Sequence, residues 1–177
     1  MIETERLLLR EMTAADLPAL GQILQDAEVM YAYNGPFSDE ETRQWLDRQL
    51  ARYEAYGHRH GLWAVVLKAT GGMIGQCGLT LQPWKDRELL EIGYLFQKAH
   101  WHQGYATEAA RACKAYAFDT LDAEEVCSII RDTNLPSQGV ARRNGMTPAD
   151  TWVKHYRGVE MPHLLFLARR NAKCEGD

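Results

Sequence analysis

The chain has 177 residues, 46% of them hydrophobic and 25% charged, with a formal net charge of −4. That length fits one domain whose core needs no disulfide or metal, and the negative balance argues against a nucleic-acid partner, which needs a basic stripe. The opening MIETERLLLREM is charged from its third residue, unlike a secretory leader, and no apolar run approaches the ~20 residues of a membrane span; a cytoplasmic protein with no membrane partner is expected.

In chain order, ERLLLREM predicts a first strand. A helix follows over about 16–30, with Asp16 rather than Thr13 as the expected N-cap, because the N–H that Pro18 lacks then falls among the unpaired ones. Ser38 and Glu41 have capping-box spacing. The helix they open carries Trp45, Leu46, Leu50 and Tyr53 at helical spacing and stops at Gly57. LWAVVLK, a Gly71-Gly72 turn and MIGQCGLTL read as two strands of a hairpin. QPWKDRE reads as a loop, and LLEIGYLF, 89–96, as the third strand of a meander.

A helix over about 104–120 puts Ala106, Ala109, Ala110, Cys113 and Ala117 on one face, small enough to lie close on a sheet. EVCSII, 125–130, reads as an apolar strand. LPSQGVARRNG reads as a short helix stopped by Gly145, and TWVKHY and HLLFLAR as a closing antiparallel pair. If the strands flanking the 104–120 helix share a sheet, they form a right-handed parallel crossover. The expectation is a single α+β domain over 1–177: a mixed, mostly antiparallel sheet of about six to seven strands, flanked by about four helices. The four cysteines, Cys77, Cys113, Cys127 and Cys174, form no CxxC pair; three lie in apolar segments and read as reduced, buried thiols.

The stretch HWHQGYATEAA, 100–110, places a glycine, small residues and a bare helix start after a hydrophobic strand. A helix start offers unpaired N–H groups and partial positive charge, which suits a pyrophosphate. Gly104 permits close approach, and Ala106 keeps the next turn open. GK[ST] and GxGxxG are both missing, so this is neither a P-loop nor a dinucleotide fingerprint. His100 and His102 form an H-x-H pair without a third ligand nearby, so no metal is expected.

EIGYLFQKAHWHQGYATEAA resembles the coenzyme-A-binding segment of the GNAT superfamily of N-acetyltransferases. NLPSQGVARRNGM, 134–146, resembles the segment that follows it there, and the resemblance extends over the whole chain, closest to the branch holding the ribosomal-protein alanine N-acetyltransferases (Rim-like). It implies acetyl-CoA as co-substrate, an amine acceptor, and a sheet whose parallel pair splays to admit the pantetheine arm. It further implies that backbone at Tyr94, Leu95 and Phe96 pairs with that arm. The pyrophosphate would lie on amides of His102, Gln103, Gly104, Tyr105, Ala106 and Thr107. Asn134 would reach the pantetheine arm, and Ser137 the same arm or the thiol region. The sequence departs from the family where its loop pattern [QR]-x-x-G-x-[GA] meets Trp101 and His102, and where a general-acid tyrosine is replaced by Ala141. The proton donor is therefore open among Ser137, Tyr156 and water.

Acetyl transfer to an amine needs the neutral amine, and a lysine-type amine with a pKa near ~10.4 is mostly protonated at neutral pH. Glu91, between Leu90 and Ile92, is the candidate base; the competing reading is a structural carboxylate bonded to a neighbouring strand or loop. Strand alternation groups Glu91 with Gly93 and Leu95. His155 and His163, and the aromatics Tyr31, Tyr33, Trp84, Trp152 and Tyr156, could line an acceptor pocket or simply pack. Arg142 or Arg143 could meet a nucleotide phosphate or face solvent. The acceptor is a protein N-terminus or a small amine such as an antibiotic or polyamine; the reading from another class is a catalytically silent acyl-CoA-binding or interaction module. Monomer and homodimer are both open.

Overall fold

A computed structural model describes residues 1–170. Its elements in chain order are β1 (Ile2–Glu3), β2 (Leu7–Arg10), α1 (Leu17–Leu24), α2 (Asp39–Ala55), β3 (Leu62–Leu67), β4 (Met73–Trp84), β5 (Arg87–Phe96), α3 (Tyr105–Asp119), β6 (Glu125–Arg131), α4 (Leu135–Arg143), β7 (Thr147–Tyr156) and β8 (Val159–Arg169), with three short 3-10 turns between. One sheet of eight strands runs in the order β1-β2-β3-β4-β5-β6-β8-β7. Every neighbouring pair is antiparallel except β5 and β6, the parallel crossover. The strand beyond the expected number is the two-residue β1 at the edge.

Asp16 stands at the N-cap of α1 as expected, although its carboxylate bonds none of that helix's N–H groups: it accepts from the Thr13 backbone N–H at 2.7 Å and from Arg10. Thr13 caps the 3-10 turn over Ala14–Asp16 that precedes the helix. Two local expectations are corrected. The first helix ends at Leu24, well before 30, because the Asp26 carboxylate accepts from the N–H groups of Glu28 and Val29 and competes for the backbone. QPWKDRE is not a loop: β4 runs on to Trp84 and β5 starts at Arg87, leaving a two-residue turn with Lys85 at φ 55. The capping box of α2 is as expected, Ser38 Oγ accepting from Glu41 N–H and Glu41 from Ser38 N–H.

The small-residue stripe of α3 lies on the sheet, with Ala109, Ala110, Cys113 and Ala117 at or below 1% exposure. Cys77 of β4 faces Cys113 across that contact, sulfur to sulfur 3.6 Å, and Trp63 of β3 packs edge-on to Tyr116. Cys77, Cys113 and Cys127 are buried and free, while Cys174 lies outside the described residues. Helix α2 takes the opposite face, Trp45 Nε1 donating to Gln76 Oε1 of β4 at 3.0 Å. Gly78 is where strands crowd: a Cβ there would meet Gly61 O at 1.9 Å. Among the described residues no helix is long and apolar enough to cross a membrane.

Candidate functional site

The site begins where the parallel pair fails to pair. β5 and β6 are in register at Glu91 and Cys127 alone. On either side of the next step, side chains replace backbone partners. Ser128 Oγ donates to the Ile92 carbonyl at 2.8 Å, and Glu91 Oε1 accepts the Ile129 N–H at 3.1 Å. Beyond these two bonds the strands separate.

Which backbone groups this leaves open follows from alternation. Gln97 N–H donates to Ile74 O across the β4 edge, so odd-numbered residues of β5 pair with β4 and even-numbered ones face β6. Tyr94 and Phe96 therefore turn their backbone toward the gap. Leu95 turns its backbone to β4 and its side chain to the cavity described below. The Phe96 carbonyl is taken by Trp101 Nε1 at 2.9 Å, which ties the following loop to the strand end.

That loop delivers the start of α3. Gly104 is its N-cap at φ 83, and His102 sits at φ 59. Gly104 is required by this geometry, because an L side chain at such a φ is strained. Arg6 of the β1–β2 turn, a residue no sequence motif marks, crosses the same place. Its Nη1 donates to Gln103 O at 3.0 Å, its Nε to Glu108 at 2.7 Å, and its guanidinium lies 4.5 Å from the Tyr105 ring centroid. On the other flank Arg143 Nε donates to Thr107 Oγ1 at 3.2 Å. Two guanidinium groups thus bracket a helix start whose N–H groups already favour an anion. Arg142 instead lies over the Phe166 ring.

The start of α4 lies on the same side of the sheet. Asn134 caps it, Oδ1 accepting from Ser137 N–H at 3.2 Å. Ser137 Oγ donates to the Tyr94 hydroxyl at 3.1 Å, and that hydroxyl donates to the Ser137 carbonyl at 2.9 Å. Burial raises the Tyr94 phenol well above its usual range, with Ser137 opposing, so it stays protonated. The Tyr94 hydroxyl was missed as chemistry in the sequence, since nothing there places it against Ser137, 43 residues on. Ala141 is buried in α4 at 1% exposure.

On the opposite face a cavity of about 390 Å³ opens. Its floor is β4 and β5, with Gln76, Thr80, Glu91, Gly93 and Leu95; α2 gives Trp45 and Arg52. The β7–β8 hairpin gives Lys154, His155, Tyr156 and His163, and the turn after α1 gives Tyr33. Alternation does place Glu91, Gly93 and Leu95 together. Burial raises the Glu91 carboxyl above the ordinary range, while the Ile129 N–H, Lys154 and Arg52 pull it down. His163 is lowered, chiefly by burial. Of the five aromatics considered, Tyr33 and Tyr156 line the cavity. Trp84 and Trp152 pack edge-on against each other, centroids 5.6 Å apart, and Tyr31 is 42% exposed, its carbonyl accepting from Arg131. Among the described residues no group of three or more His, Cys, Asp or Glu side chains could hold a metal.

Comparison with known proteins places this geometry. Residues 6–147 match the family model described as an acetyltransferase (GNAT) domain. The uncharacterized protein YkkB of Bacillus subtilis (strain 168) is 37% identical over 144 residues, 81% of this chain and 83% of that protein. A crystal structure of an acetyltransferase from Agrobacterium tumefaciens str. C58 is 30% identical with TM-score 0.79, covering 96% of this chain and 94% of that one. RimL, a ribosomal L7/L12 alpha-N-protein acetyltransferase solved in complex with coenzyme A, is 18% identical with TM-score 0.76 over 94% of this chain and 95% of its own, a likeness of fold.

Proposed function

The chain belongs to the GNAT acetyltransferase family, and from that premise we propose that it moves the acetyl group of acetyl-CoA to a primary amine, on a protein N-terminus or a small molecule. The observation that carries this reading is the gap between β5 and β6. It joins the anion-favouring start of α3 on one face to the Glu91 cavity on the other.

In this reading the pyrophosphate lies on the 102–107 backbone, and the pantetheine arm takes the open Tyr94 backbone groups and the Phe96 N–H. The thioester then stands in the gap, with the acceptor in the cavity. The amine nitrogen attacks the thioester carbon, an N–C bond forms and the C–S bond breaks. Glu91, on the acceptor side, takes the proton that the amine loses. The departing thiolate gains a proton on the other side, where the Tyr94 hydroxyl and Ser137 Oγ meet at the start of α4. The open N–H of Tyr94 or Phe96 polarises the carbonyl, as an oxyanion-hole donor does. Base and thiol donor thus lie on opposite sides of the reacting carbon. These residues fit acetyl-CoA without a metal, since each step needs only proton transfer and hydrogen bonding.

The buried Ala141, at the family's general-acid position, favours a second reading, a silent acyl-CoA-binding module. One experiment separates them. Purified protein is incubated with acetyl-CoA and a panel of peptides and amines, with acetylated product read by mass spectrometry and free thiol by absorbance. Thiol release that requires an acceptor supports the transferase; acetyl-CoA binding with no product from any acceptor supports the module.

A further inference from the structure

Resting on the transferase reading, we propose that the acceptor is a small amine that carries its own anionic group, a carboxylate or phosphate, and that Arg52 and Lys154 hold that group. The cavity is unusual in charge for this chain. Overall the protein is acidic, with 24 Asp and Glu against 20 Lys and Arg. The cavity wall reverses that balance: its cations are Arg52 and Lys154, and its one carboxylate is Glu91. Arg131 adds positive charge behind it, its register partner being His163 on the wall.

Both cations are held in place without spending their charge. Among the described residues neither has a carboxylate oxygen within 4.0 Å, whereas lysines and arginines elsewhere, such as Lys85, Lys98 and Arg6, are paired. Arg52 Nη1 donates to the neutral Gln49 amide at 3.2 Å. The Lys154 ammonium lies 5.8 Å from the ring centroids of both Trp84 and Trp152. An aromatic face orients a cation and leaves its outer N–H donors free. Both side chains are half-buried, so an anion reaching them is less screened than at the surface.

Glu91 does not account for two cations. One carboxylate balances one of them, and none once it has taken the amine proton. A cavity with surplus positive charge repels a plain cationic amine and more strongly a polyamine. In an acceptor with a fixed negative group, a carboxylate cancels the charge of the protonated amine and a phosphate more than cancels it. Such an acceptor offsets the surplus charge and leaves its amine directed at Glu91, the group that accepts protons. Arg52 on α2 and Lys154 on β7 belong to different walls, so between them they fix the orientation of a short molecule. The size of the cavity, about 390 Å³, suits one.

The test uses matched acceptors that differ in the anionic group: 4-aminobutanoate against 4-aminobutanamide for the carboxylate, and 2-aminoethyl phosphate against ethanolamine for the phosphate. Initial rates with acetyl-CoA are measured for wild type, Arg52→Gln and Lys154→Gln. The expected result is a kcat/KM about tenfold or more higher for at least one anion-bearing acceptor than for its match without the anion, expressed mainly in KM. Each substitution should bring that ratio toward one. The pair that responds identifies carboxylate or phosphate. Acceptors without the anionic group turned over as well as those with it overturn this proposal and leave the transferase reading standing. A preference untouched by both substitutions overturns the assignment of Arg52 and Lys154. Acetyl-CoA binding without product from any acceptor overturns the transferase reading, and this proposal with it.

Discussion

Glu91 Oε1 accepts the backbone N–H of Ile129 at 3.1 Å, next to the single register pair between β5 and β6. The same carboxylate lines the cavity. One side chain therefore caps the point where the strands part and faces the space where an amine would arrive. The structural and catalytic readings of Glu91 are not alternatives, and a substitution has to keep the first to test the second.

Glu91→Gln does so, since its amide oxygen can still accept from Ile129. Turnover should fall about 10²–10⁴-fold with acetyl-CoA affinity retained. Burial raises the Glu91 pKa, and the working base is the ionised form. Wild-type activity should therefore be lost as pH falls through a value above the usual carboxylate range of about 4.3. The variant should lose that acid limb and recover partly at high pH, where more amine is neutral unaided. A folded Glu91→Gln protein with wild-type rates from about pH 6 to about pH 9 removes Glu91 from the chemistry.

Tyr94→Phe and Ser137→Ala each delete one end of a shared hydrogen bond. Each should lower kcat by about tenfold or somewhat less, in line with a bond of about 0.5–1.5 kcal/mol. Because the two act as a unit, the double variant should be little worse than either single one. Strictly additive losses in kcat would show that they do not cooperate at the thiol.

Gly104 stands at φ 83, and a Cβ there would lie 3.4 Å from Arg6 Nη2. Gly104→Ala should lose about 1–2 kcal/mol of stability from backbone strain. Gly104→Val should in addition weaken acetyl-CoA, because its branch projects where the pyrophosphate approaches. Titration calorimetry on folded Gly104→Val decides: an affinity equal to wild type moves the pyrophosphate elsewhere.

Asn134 caps α4 through Oδ1, so Asn134→Ala confounds folding with binding, at about 0.5–2 kcal/mol for the cap alone. Asn134→Asp keeps an acceptor for the cap and removes the amide donor. Near-wild-type melting with weaker acetyl-CoA binding is the expected pattern. If Asn134→Asp binds acetyl-CoA as wild type does, the residue only caps a helix.

Asp16, 6% exposed, ties Arg10 to the turn before α1. Burial alone would raise its carboxyl, but the hydrogen bonds from Arg10 and Thr13 outweigh burial and hold it below the usual range. A carboxyl lowered on folding contributes stability above its unfolded pKa of about 3.9 and loses it as pH falls through the folded value. Asp16→Asn should cost about 1–3 kcal/mol at neutral pH, and the gap to wild type should narrow below about pH 4. Urea melts at two pH values check this; a gap constant with pH would assign the loss to packing.

Much of the fold is legible in the sequence because its signals are local. Ser38 and Glu41 sit three residues apart and cap α2 in the expected way. Gly104 is placed at a helix start by the residues on either side of it, and the alanine stripe of α3 needs only a period of 3.6 to be read. Alternation alone puts Glu91, Gly93 and Leu95 on one wall. Local signals fail where neighbours compete. Asp26 takes the Glu28 and Val29 N–H groups and α1 ends early, and QPWKDRE pairs across a turn because its cross-strand contacts lie outside any short window.

The chemistry of the site is divided the same way. The sequence by itself determined the family, the order of elements and the helix start that favours an anion. Only the tertiary structure decided that Glu91 bonds Ile129, 38 residues away, that Tyr94 meets Ser137, 43 residues away, and that Arg6 reaches Gln103, 97 residues away. It also decided that Arg52 and Lys154 share a cavity with Glu91, neither cation within 4.0 Å of a carboxylate oxygen among the described residues. Propensity, capping and periodicity act over a few residues, and the chain carries them in order. A charge or hydroxyl acquires its role from whatever folding brings beside it, and that neighbour is set by the packing of the sheet.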